Sequence, residues 1–127
     1  MSRTEGRTDE APKPSGPFSQ SVRIGGVVAA AGQVGNTPDG TVLEGVGPQT
    51  RQALANIAAV LAASGAGMDD VISMRVFLTD VSHFGEMNAV YAEAFGEPYP
   101  TRTTVYVGLP EGLLVEIDAL AVVGPDS

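Results

Sequence analysis

Two stretches of helical apolar spacing, each followed by a stretch of strand spacing, constrain this chain most. From Pro48 to about Ser64, Leu54, Ile57, Ala58 and Leu61 recur at i, i+3, i+4, i+7 and form one apolar helix face. Pro48 suits a first helical position, and Gly65 and Gly67 mark the end. Val71 to Thr79 then alternates: Ile72, Met74, Val76 and Leu78 point one way, and Ser73, Arg75, Phe77 and Thr79 the other. Asp80 or Ser82 can cap a second helix, in which Phe84, Met87, Asn88, Tyr91 and Phe95 repeat at helical spacing. Gly96 to Pro100 breaks it, and strands follow over Thr101–Val107 and Leu113–Val123.

Upstream, Phe18–Arg23 and Val27–Ala31 read as strands around a Gly25-Gly26 turn. Gly32 to Gly40 holds three glycines, a proline and an asparagine and reads as loop, with Asp39-Gly40 as a tight turn before a brief strand at Thr41–Leu43. Residues 1–14 are polar, lack apolar periodicity and read as a flexible N-terminal tail; residues 15–127 form a single domain. The order predicts an α+β fold, a mixed β-sheet with two helices packed on one face. Arg75, Phe77, Tyr106 and Leu120 are expected on the other face, which oligomerisation would cover.

Composition narrows the function. Seven Lys+Arg stand against 15 Asp+Glu, a formal net charge of −8. Binding a phosphate backbone needs a basic footprint, so nucleic acid is disfavoured as the main ligand. There are no cysteines, hence no disulfide, thiol nucleophile or thiolate metal site. A single histidine, His83, argues against a histidine-based metal site. The chain lacks the roughly 18 consecutive apolar residues of a membrane span, and no signal peptide is evident, so a soluble cytoplasmic protein is expected. Neither glycine-rich stretch carries a phosphate-binding pattern, and no cofactor is called for.

Two charges interrupt the last strands. Arg102 sits early in Thr101–Val107, and Glu116 interrupts a run of Val, Ile, Leu and Ala. A guanidinium can grip a carboxylate through two parallel hydrogen bonds. A half-buried glutamate can move protons or aim a water. The plainer alternatives are a structural ion pair for Arg102 and an edge-strand role for Glu116. Asp118, on the same strand face as Glu116, reads as structural. Together Arg102 and Glu116 suggest a site for a small carboxylate-bearing molecule.

Gly16-Pro17-Phe18-Ser19-Gln20, Ala31-Gly32-Gln33, Met87-Asn88-Ala89-Val90-Tyr91, Pro100-Thr101-Arg102-Thr103, Leu109-Pro110 and Val115-Glu116-Ile117 occur in order. This set resembles the RidA/YjgF family of enamine/imine deaminases. The resemblance implies a chorismate-mutase-like subunit and a homotrimer with ligand clefts between subunits. It implies hydrolysis of 2-aminoacrylate and related 2-imino acids to 2-keto acids and ammonia, as in 2-iminobutanoate/2-iminopropanoate deaminases. It places carboxylate binding on Arg102, water orientation on Glu116, a backbone contact at Thr104, and Asn88, Phe18, Ala31 and Gly32 at or near the cleft. Phe18 and Ala31 stand where the family usually has Tyr and Ser. The alternatives are a non-catalytic trimer that binds a small acid, or a pathway-dedicated deaminase with a more apolar substrate. An endoribonuclease is disfavoured by the acidic balance.

Overall fold

The computed structural model describes residues 2–124. Six strands form one sheet: β1 (Thr4–Gly6), β2 (Ser21–Ile24), β3 (Val27–Val34), β4 (Val71–Leu78), β5 (Thr101–Tyr106) and β6 (Val115–Val122). Their order is β1-β2-β3-β6-β4-β5. All neighbours are antiparallel except β4 and β5. Parallel neighbours need a crossover, which α2 (Phe84–Ala92) supplies, and α1 (Val46–Ala62) connects β3 to β4. The mixed sheet with two helices is the expected α+β architecture.

Both helices cover one face. Val28, Met74, Val76, Leu78, Val115 and Ile117 of the sheet share one core with Ala53, Ile57, Val60 and Leu61 of α1 and Met87 and Tyr91 of α2. Each fully buried large aliphatic side chain contributes about 1.5–3 kcal/mol. The helix starts at Val46, two residues before the expected Pro48. Pro48 is tolerated there because N–H groups of the first turn have no intrahelical partner. The Gly47 N–H donates to the Glu86 carboxylate at 3.0 Å, so α2 caps the N-terminus of α1. The α2 helix stops at Ala92, earlier than the expected Phe95. Asp80 caps a short 3-10 turn, Val81–His83, that leads into it.

Four local expectations are corrected. In β4, Met74, Val76 and Leu78 are buried as expected, but Ile72 is exposed. A register irregularity between Val71 and Ser73 inserts one residue and flips the alternation there. Next, β3 continues through Gly32 and Gln33 to Val34 rather than ending at Ala31, and its pairing with β6 shifts between Ala30 and Gln33. Thr41–Leu43 forms only an isolated bridge, Asn36 to Val42. Finally, the segment expected as a flexible tail contains β1, paired to β2, and the buried Ala11. Gln20 explains this: its side chain accepts from the Thr8 N–H at 2.8 Å and donates to the Thr8 and Pro12 carbonyls at 3.1 and 2.9 Å.

Gln49 makes a second buried clasp. Its amide nitrogen donates to the carbonyls of Leu43 and Gly112, both at 2.8 Å, and its oxygen accepts from the Leu114 N–H at 2.8 Å. It thereby pins the loops before α1 and before β6. Gly25, with φ 58°, forms the expected β2–β3 turn, a backbone shape that favours glycine. No helix among the described residues is long and apolar enough to cross a membrane.

Candidate active site in two halves

Arg102 lies on the helix-covered side of the sheet. Its partner across β4–β5 is Met74, which is fully buried, so the two side chains share a face. Thr104, opposite Val76, shares that face. So does Tyr106, opposite Leu78, which corrects its expected place on the open face. The guanidinium carbon of Arg102 lies 4.8 Å from the ring centre of Tyr91 and 5.6 Å from that of Phe84. Arginine side-chain hydrogen bonds among the described residues come from Arg7, Arg23, Arg51 and Arg75. Ion pairs involve Arg7, Arg51 and Arg75. Among the described residues, no protein acceptor occupies the Arg102 fork.

A cleft of about 440 Å³ adjoins it, lined by Asn88, Tyr91, Ala92, Tyr99, Pro100 and Arg102. Asn88 is exposed here rather than buried in the apolar stripe of α2. Strand β5 is an edge of the sheet. Val107 donates its N–H to Leu78 O. By strand alternation, the N–H groups of Arg102, Thr104 and Tyr106 then point to the open edge. A small acid beside Arg102 thus meets a charged fork, an amide side chain and unpaired backbone donors.

Glu116 lies on the opposite side. It faces Phe77 on β4 and Val34 on β3, and alternates with the buried Val115 and Ile117. Burial raises its carboxyl pKa above the ordinary value, and the charge of Asp118 adds to this. Asp118 is occupied by Arg75, with contacts at 2.6–3.2 Å, which supports its structural reading. Gly32 sits against the Glu116 carboxylate, and a Cβ there would overlap it. Gly32 also lines a small cleft with Phe18 and Gln20. The Ala31 N–H donates to Gln20 O at 2.9 Å, holding the Phe18 segment beside β3. Phe18 is 50% exposed and forms a cleft wall with Ala31.

The expected residues therefore form two groups in one subunit. Arg102, Asn88 and the Thr104 backbone adjoin one cleft. Glu116, Gly32, Ala31 and Phe18 gather across the sheet. Register separates the groups: Arg102 pairs with inward-facing Met74, and Glu116 with outward-facing Phe77. Sequence reading missed Tyr91 and Phe84 as neighbours of Arg102, taking them as a helix stripe. It also missed Tyr99 and Pro100 as cleft walls. Their i, i+7 spacing and the short link from α2 to β5 were the available signals. Among the described residues, no group of three or more His, Cys, Asp or Glu is arranged to hold a metal.

The fold and the two groups of residues define a class: small α+β subunits with an arginine on one sheet face, unpaired among the described residues, and a partly buried glutamate on the other. The family model described as Endoribonuclease L-PSP matches residues 8–123. A RutC family protein of Pyrococcus horikoshii is 46% identical over 90% of this chain and 93% of its own. A Dermatophagoides farinae protein named 2-iminobutanoate/2-iminopropanoate deaminase is 39% identical, covering 91% and 93% of the respective chains. The Escherichia coli TdcF structure with bound serine matches with a TM-score of 0.91 and 37% identity, over 95% of this chain and 99% of that one. The chain belongs to the Endoribonuclease L-PSP family, which includes the RidA/YjgF deaminases.

Proposed function

We propose that this protein is a homotrimeric deaminase that hydrolyses 2-enamine and 2-imino acids to 2-keto acids and ammonia, in clefts formed between copies. The carrying observation is the separation of Arg102 from Glu116 on opposite faces of one sheet. A small imino acid cannot reach both within one subunit. The Arg102 half of one copy set beside the Phe18–Gly32–Glu116 half of the next makes a complete site. The open face gives a reason to assemble: Ile24, Val27, Ile72, Leu120 and Val122 are all more than a third exposed. Apolar area of this kind is normally covered in an oligomer.

The chemistry follows from the groups present. Arg102 binds the substrate carboxylate through its planar fork. An enamine first gains a solvent proton on carbon to become the protonated imine. Water then adds to the imine carbon, and the C=N electron pair moves to nitrogen. Glu116 takes the proton released by that water and returns it to nitrogen. As the C–N bond breaks and ammonia leaves, the hydroxyl proton passes to solvent and the carbonyl forms. The raised pKa of Glu116 suits both halves of this transfer. Positioning carries most of the rate, since a protonated imine is already electrophilic.

A second reading concerns side-chain preference. Phe18 is half exposed beside Ala31, so this wall of the cleft presents an apolar ring without a hydroxyl. That favours a more apolar 2-imino acid over a small one.

The test uses 2-aminoacrylate made by a serine dehydratase and trapped with semicarbazide. The protein is expected to lower the trapped yield, and Arg102→Ala to abolish that effect. If no imino acid in a broad set is turned over while a 2-oxo acid still binds, the protein is a small-acid-binding module instead.

A further inference from the structure

We propose that Tyr91 and Phe84 are positioning residues that hold the Arg102 guanidinium by its faces and leave its N–H fork open to substrate. This rests on the carboxylate role of Arg102 proposed above. A guanidinium has two apolar faces and five in-plane donors, so an aromatic face can hold it without using a donor. Phe84, Asn88 and Tyr91 stand at i, i+4 and i+7, on one face of α2. Arg102 lies within 4.8 Å and 5.6 Å of the two ring centres.

The molecule contains its own contrast. Arg75 also lies near a ring, 5.8 Å from that of Phe77, but Asp118 fills its fork. Arg102 has the rings and, among the described residues, no carboxylate. Tyr91 can serve as a fixed shelf because it is 4% exposed and packs on Phe95 at 5.1 Å. Among the described residues its buried hydroxyl has no hydrogen-bond partner. The ring therefore supplies the contact with Arg102. Because the shelf orders the carboxylate-binding group, its loss should weaken substrate binding more than turnover.

The experiment compares KM and kcat for an imino acid in the parent, Tyr91→Phe, Tyr91→Leu and Phe84→Leu, and Kd for pyruvate in these and in Arg102→Ala. Tyr91→Phe keeps the ring and is expected to raise KM and the pyruvate Kd far less than Tyr91→Leu does. Phe84→Leu should raise KM and the pyruvate Kd about threefold, and Tyr91→Leu about tenfold, with kcat kept within about twofold. Phe84 is 38% exposed, so its variant reports even if Tyr91→Leu does not fold. An unchanged KM and Kd in Phe84→Leu overturns the proposal, as does a Tyr91→Phe loss equal to that of Tyr91→Leu. If Arg102→Ala also leaves the pyruvate Kd unchanged, the carboxylate reading fails with it. If Arg102→Ala alone raises that Kd, only the aromatic shelf fails.

Discussion

Burial, with the nearby Asp118 charge, raises the Glu116 carboxyl pKa above its ordinary value. The consequence for stability has a definite sign. A carboxyl whose pKa is higher folded than unfolded binds its proton more tightly in the folded state. Its ionised form therefore costs stability, a cost absent at acid pH where both states are protonated. The cost develops as pH rises above the ordinary value of 4.5. Glu116→Gln should thus raise Tm at neutral pH while lowering activity, with the gain fading as pH falls below about 4. A thermal unfolding series across pH checks this; a gain that grows on acidification would contradict it. The residue itself was legible as a charge inside an apolar run, and so was Arg102. Their assignment to opposite faces was not, because each face is set by pairing with β4, and Met74 and Phe77 decide it only once the register is known. Phe84 and Tyr91 showed only a helical stripe; a stripe does not reveal which residue from a distant strand lies on it.

At the scale of elements, the irregularity in β3 matters most. Between Ala30 and Gln33 the pairing with β6 shifts, and this brings Gly32 against the Glu116 carboxylate. Gly32→Ala is expected to push that carboxylate aside. Misplacing a catalytic group by about an ångström costs on the order of 10²-fold, so kcat/KM should fall by about that much with Tm near the parent value. Parent-like kinetics in a folded Gly32→Ala would show that the Glu116 position is not critical. The same glycine made the sequence read as loop, and so concealed the second half of β3. Periodicity revealed both helices and the body of β4, but Ile72 broke its pattern because a bulge changes the parity of what precedes it. The strand at Thr4–Gly6 left no apolar signature. Its segment is held largely through backbone groups clasped by the Gln20 amide, and such a clasp leaves no spacing to read.

At the scale of the whole molecule, the proposed trimer ties the apolar open sheet face to the site divided between the two sides of that sheet: in it, covering the face with another copy would also complete the site. The Arg75–Asp118 pair in the middle of the face is mostly exposed on its arginine side in one subunit, so it offers a polar registration point for that contact. The decisive measurement is complementation. Arg102→Ala and Glu116→Gln proteins, each expected to be inactive, are dissociated, mixed in equal amounts and reassembled. If every cleft takes its arginine from one copy and its glutamate from the next, about a quarter of clefts regain both by random assortment, and deaminase activity returns to about that fraction of the parent's. No recovery in reassembled mixtures that contain both variants would contradict a site shared between copies.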